Sequence, residues 1–165
     1  MMKHTFVKYG ILAGVSVIAY FLLFYFIDTT VLFSPFVNWG SLVIYILFMI
    51  MACTRERVAH EGSLPFKQAL RTAFGTFVVA NIIYYIFNYL LFKFDPTLLI
   101  TQKEAIIHTM QWASKTFNFE LPSETIQQLR GEIRPVTIGN TIFVFAQSLI
   151  GGFILSFIVG GMMRR

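Results

Sequence analysis

The sequence is poor in charge, and that poverty excludes an ordinary water-soluble domain. Only 13% of its 165 residues are Asp, Glu, Lys or Arg, against 56% hydrophobic and 17% aromatic. Mean hydropathy is +0.69, so much of the apolar surface needs lipid to cover it. Cysteine occurs once, at Cys53; no disulfide can close within the chain, and a reduced packing thiol is expected. Histidine occurs at positions 4, 60 and 108 only, with no i, i+4 pair, so no metal centre and no cofactor is expected. His60 beside Glu61 is the one pair with the look of an acid and a base, but neighbours in sequence do not share a helix face. Phosphate-binding loops, nucleophile elbows and zinc signatures are missing. So is the strict apolar/polar alternation of a membrane β-barrel strand, since "ILAGVSVIAYFLLFYFI" runs apolar throughout.

The chain does hold long uncharged runs. There are 19 such residues between Lys8 and Asp28, 26 between Asp28 and Arg55, 21 between Arg71 and Lys93, and 29 between Arg134 and Arg164. At about 1.5 Å per helical residue each can cross a hydrocarbon layer of roughly 30 Å. The expected fold is therefore an all-α membrane protein, one domain over residues 1–165. Its four transmembrane helices span about 9–27, 36–53, 69–91 and 138–162, arranged in two hairpins. The basic start "MMKHTFVK" resembles a signal-peptide n-region, yet the run that follows is longer than an h-region and no small-x-small site precedes Asp28, so a retained helix is expected.

Positive charge sets the orientation. With the N-terminus inside, the inner side carries Lys3, Lys8, Arg55, Arg57, Lys67, Arg71, Arg164 and Arg165 against Glu56 and Glu61 alone. The outer side carries Lys93, Lys103, Lys115, Arg130 and Arg134 against six acids. Both termini are thus expected in the cytoplasm. Arg55, Arg57, Lys67 and Arg71 are read as topology signals that meet anionic lipid headgroups. These cations form separate juxtamembrane patches rather than one stripe, so nucleic acid is not an expected partner. Arg55 and Arg57 in "TRER" are expected to cap the second helix, "VAHEGS" to turn, and Pro65 to start the third. There Phe66, Leu70, Phe74 and Phe77 would form an apolar stripe, with Lys67 and Arg71 facing lipid phosphates or a cytoplasmic partner.

"DTTVLFSPFVNWG", with Pro35 and Asn38 near a turn, would join the first two spans. About forty residues, 95–135, separate the third and fourth spans and show helical signals. Asp95 and Pro96 read as N-cap and first helical residue, and Thr101 with Glu104 has capping-box spacing. Ile106, Met110, Ala113 and Phe117 make an apolar stripe opposite Lys103, Gln111, Ser114, Lys115 and Asn118. Beyond Leu121 and Pro122, Ser123 would cap a short helix through Arg130, with Ile126 and Leu129 as its stripe. An amphipathic helix resting on the membrane or on the bundle is expected, serving as connector, lid or docking surface.

Within the spans, polarity is confined to amides and hydroxyls, which argues against a proton relay. Asn81 and Asn88, seven apart beside Tyr84 and Tyr85, and Asn140, Gln147 and Ser148 in the last span, would form a polar interhelical cluster or line a small-molecule cleft. Gly10 with Gly14, Ser148 with Gly152, and Ser156 with Gly160 recur at the four-residue spacing that lets helices approach closely, within one chain or between copies. "KYGILAGVSVIAYFLLFYFID" and "RTAFGTFVVANIIYYIFNYLLFKFD" faintly echo each other, as a parallel repeat would.

The N-terminal "KYGILAG", the basic "PFKQALRTAFGTF", the Asp-Pro "DPTLLI", the long amphipathic loop and the basic close of the last helix together resemble the bacterial four-helix membrane family of domain of unknown function 4199. The resemblance covers nearly the whole chain. It implies an integral inner-membrane protein and offers no catalytic residues. The function expected is a non-enzymatic scaffold or accessory subunit that docks a membrane-protein partner through the outer loop. The alternative is a small-molecule transporter or channel component that works as a homo-oligomer, because four helices with so few interior polar groups line a poor pore.

Overall fold

A computed structural model describes residues 5–120, 122–131 and 136–164. The expectations placed on Lys3, His4, Leu121, Glu132, Arg134 and Arg165 lie outside the described residues. Seven helices account for most of the rest: α1 (Thr5–Ile27), α2 (Thr29–Leu32), α3 (Pro35–Ala59), α4 (Phe66–Phe94), α5 (Thr97–Phe117), α6 (Ser123–Gly131) and α7 (Ile138–Met163). No strand occurs among the described residues. Helices α1, α3, α4 and α7 are long and apolar enough to cross a membrane.

Several boundaries differ from the sequence reading for local reasons. The stretch after Asp28 is not a plain turn: the Asp28 carboxylate accepts from the Thr30 amide at 2.8 Å and caps the single turn of α2. Pro35 stands at the start of α3 rather than in the turn, where its missing N–H costs nothing, and Ser34 caps the helix by accepting from the Val37 amide. α3 does not stop at Cys53 but runs on to Ala59, so Arg55 lies within the helix while Arg57 stands in its last turn. It ends where Glu61 (φ 56°) and Gly62 (φ 90°) take left-handed conformations, and at Gly62 the missing Cβ makes that conformation easy.

Three expected caps of the long loop are also corrected. Thr101 lies inside α5 and its hydroxyl donates to the Thr97 carbonyl, so no capping box forms with Glu104. The N-cap position is Pro96 and α5 begins at Thr97, one residue later than expected; Asp95 Oδ1 accepts from the Thr97 amide at 3.2 Å and the Thr97 hydroxyl at 2.5 Å. Ser123 is the first residue of α6 rather than its cap. The stripe of α5 is turned as well. Ile106 and Phe117 are exposed, while Leu98 and Ile107 are the buried positions, because α5 packs on α2 and on the end of α4.

α4 is the central helix, in contact with α1, α3 and α7. The tightest packing joins α1 to α4, which run parallel: Gly10 lies against Val79, Gly14 against Ile83, and Phe6 against Gly75. A Cβ at Gly10 would stand 2.6 Å from the Val79 Cβ, closer than any side chain permits. α7 runs antiparallel to α4, with Gly160 against the Leu70 backbone and Gly152 against the Phe77 ring. The stripe Phe66, Leu70, Phe74, Phe77 is the face that meets α7, through edge contacts of Phe66 with Phe157 and Phe74 with Phe153. Gly10, Gly14, Gly152 and Gly160 thus all serve contacts within the chain.

Candidate functional site

The buried face of α3 repeats every three or four residues, Val37, Ser41, Tyr45, Met49, Cys53 and Glu56. That spacing carries Tyr45 to the middle of the bundle. There its hydroxyl donates to Asn81 Oδ1 at 3.2 Å, and Asn81 Nδ2 donates to Ser148 Oγ at 2.9 Å. Ser148 Oγ donates in turn to the Phe145 carbonyl at 2.6 Å. Tyr45, Asn81 and Ser148 thus link α3, α4 and α7 through one chain of neutral hydrogen bonds. Asn81 is 4% exposed, and each bond satisfies a group that hydrocarbon could not.

Beside this triad lies a cleft of about 580 Å³, walled by Trp39, Tyr45, Phe77, Tyr84, Ser148 and Leu155 among others. Its size suits a small molecule, and its lining is aromatic and aliphatic with a few hydrogen-bonding groups. It holds no charged side chain.

Only part of the expected polar cluster assembles. Asn81 and Ser148 meet, whereas Gln147, one residue and roughly 100° away on α7, is exposed on another face. Asn88 lines a separate cavity of about 150 Å³ nearer the loop end, with Phe21, Leu32 and Gln102. Asn140 lies at the mouth of a groove of about 540 Å³ between α5, α6 and the start of α7, with Lys103, Met110 and Gln128. The regular spacing of Ser148, Gly152, Ser156 and Gly160 was the signal that set Ser148 rather than Gln147 toward α4.

A second polar cluster occupies the opposite end, where α1 begins and α7 ends. Glu56 is 7% exposed, and its Oε2 is the buried side-chain polar atom left without a hydrogen-bond partner among the described residues. His60 Nε2 stands 3.8 Å from Glu56 Oε1 and also contacts the Gln68 amide of α4, so the imidazole bridges α3 to α4. His60 pairs with Glu56, four residues back on the helix, not with its neighbour Glu61. The sequence reading counted Glu56 only as one of two acids on the inner side. Its place on the Tyr45–Met49–Cys53 face was the available sign of burial. Lys67, Arg71 and Arg55 are exposed at this end, and Arg57 is half-buried. Cys53 is buried, its thiol 3.5 Å from the Ala69 carbonyl. No group of three or more His, Cys, Asp or Glu that could hold a metal occurs among the described residues.

At the loop end, Asp28 and Asp95 play equivalent parts. Each follows a span and bonds to the start of the next helix through a threonine two residues on. The Thr30 hydroxyl and amide hold the Asp28 carboxyl below its usual range. Asp95 is lowered mainly by the Thr97 hydroxyl, assisted by Tyr25, whose hydroxyl donates to Asp95 Oδ2 at 3.0 Å and ties α1 to the end of α4. Lys103 Nζ donates to the Arg130 carbonyl at 2.5 Å and joins α5 to α6.

No curated protein and no solved structure matches the chain. A family model does, over residues 8–165, and the chain belongs to that family, described as a protein of unknown function, DUF4199.

Proposed function

We propose that this membrane protein is a non-enzymatic accessory subunit of the bacterial inner membrane that docks a membrane-protein partner through its outer helices. The observation that carries this reading is the apolar surface α5 leaves open. Ile106 and Phe117 on one face of α5, Trp112 on another and Phe119 just past its end are all exposed. Large exposed apolar side chains gathered on one extramembrane element mark contact surfaces. Both termini are assigned to the cytoplasm, where exposed Arg55, Lys67 and Arg71 meet anionic headgroups.

Crosslinking in native membranes followed by mass spectrometry tests the proposal. One co-purifying protein is expected, and joint replacement of Trp112 and Phe117 by Ala should lose it at unchanged abundance. Retention of the partner by that variant overturns the docking surface. A reporter fused at Arg165 that reads outside overturns the orientation.

The cleft beside Asn81 favours a second reading, a transport component for a neutral small molecule. It requires flux across vesicles that depends on expression and is lost in Asn81→Leu without loss of protein. Wild-type vesicles without flux exclude it.

A further inference from the structure

α7 uses one face against α4 and presents the rest outward, and its outward surface is of two kinds. Phe143 and Ile150, seven apart and both exposed, form a bulky apolar stripe suited to lipid. Beside them a different pattern runs from Val144 to Gly161. Gln147, Ile154 and Gly161 recur every seven residues, and Val144, Gly151 and Ile158 alternate with them in steps of three and four. This is the spacing of a left-handed helix pair, held over more than two heptads.

The seam is open. A methyl group built on Gly151 or Gly161 would meet nothing within 4 Å, whereas one on Gly152 or Gly160 would meet α4. Gln147 lies about nine residues into the span, roughly 13 Å along the axis, exposed and outside every hydrogen bond of the triad. An amide facing hydrocarbon is costly unless another helix supplies a donor and an acceptor at the same depth. α7 is also the least covered of the four spans: 17% of its most apolar window is buried, against 28%, 33% and 22% for α1, α3 and α4.

We infer that α7 pairs with α7 of a second copy of this chain, the two Gln147 amides bonding to each other across a parallel seam with the glycine at position 151 at its closest approach. The second copy is the occupant because two molecules inserted the same way bring Gln147 to identical depth. A carboxamide is moreover its own complement, donor and acceptor in one group. A polar residue in an otherwise apolar seam fixes register in this manner. Gly151 and Ile154 also form the lip of the cleft beside Asn81, so the partner would stand along the cleft's open edge. The inference goes beyond the docking of a different protein by α5 and does not depend on it.

Single cysteines report the seam in native membranes, because Cys53 is fully buried and the otherwise unaltered chain should give no crosslink. Gly151→Cys and Ile158→Cys are expected to give a disulfide-linked dimer on mild oxidation. Ala146→Cys and Ile142→Cys, exposed on the other side of α7, are expected to give none. Adding Gln147→Leu to Gly151→Cys should lower the dimer association constant about tenfold, equivalent to about 1.4 kcal/mol, with abundance followed in parallel. Absence of seam crosslinks in abundant protein, equal crosslinking at all four positions, or linkage to a different polypeptide would each overturn the pairing. A seam crosslink undiminished by Gln147→Leu would overturn the role of the amide. Loss of an α5-bound partner in the Trp112 and Phe117 variant has no bearing on these bands, so the two proposals fail separately.

Discussion

The bundle and the helices at its loop end are held by different forces. α1, α3, α4 and α7 meet through close backbone approach at Gly10, Gly14, Gly152 and Gly160 and through one neutral hydrogen-bonded triad. α5 buries only Leu98 and Ile107, α6 buries nothing, and their attachments are Asp95, the Tyr25–Asp95 bond and the Lys103–Arg130 bond. Where lipid removes the hydrophobic drive for helix association, packing and satisfied polar groups must supply it. Where water is present, a few polar contacts position an element without fixing it tightly.

The strongest way to break the bundle is Gly152→Val. Its Cβ would overlap the edge of the Phe77 ring, and overpacking of this kind costs about 1 to 3 kcal/mol even where neighbours give way. A large fall in the abundance of folded protein is expected, measured by fluorescence-detected size exclusion. Gly139→Val, at an open position on the same helix, should leave the profile unchanged. Asn81→Leu should be milder. It strands the Tyr45 hydroxyl and frees Ser148, and such interhelical bonds are worth about 0.5 to 2 kcal/mol. The thermal midpoint should drop by a few degrees, and by less in Ser148→Ala, which leaves the Tyr45–Asn81 bond intact.

Glu56→Gln sharpens the comparison from the other side. The carboxylate is buried with one oxygen unpartnered, so an amide of the same shape should be neutral or stabilising by up to about 1 kcal/mol. Glu56→Ala, which also empties the space, should lower the thermal midpoint. The smallest effect is expected at Asp95. Its folded value is lowered, so its contribution is present above the unfolded value of about 3.9 and is lost as pH falls through the lower folded value. Proteolysis in α5 and α6 should accelerate in that acid range, and at neutral pH in Asp95→Asn, while the bundle stays intact.

Much of the bundle was legible because it follows from composition and period. Uncharged runs located four spans to within a few residues at most ends, and small residues four apart marked the faces that touch. The site was less legible. Gln147 and Ser148 are adjacent, and nothing in their chemistry says which faces α4; the glycine stripe decides it only once α4 is known to lie on that side. Glu56 was concealed by its company, since Arg55 and Arg57 flank it and are not buried. The stripe of α5 was misassigned because Ile106 and Ile107 are equally apolar, and the position of α2 and the end of α4 selects Ile107.

The sequence alone determined that this is a membrane protein of helices, because hydrocarbon leaves a backbone this apolar no cheaper way to satisfy its N–H and C=O groups. It also marked Asp95 as the carboxylate that meets the free amides of the helix after it. Only the tertiary structure decided which polar groups meet. Local spacing fixes the angle of a side chain around its own helix but not which neighbour stands opposite, and the bonds among Tyr45, Asn81 and Ser148 span 36 and 67 residues of chain.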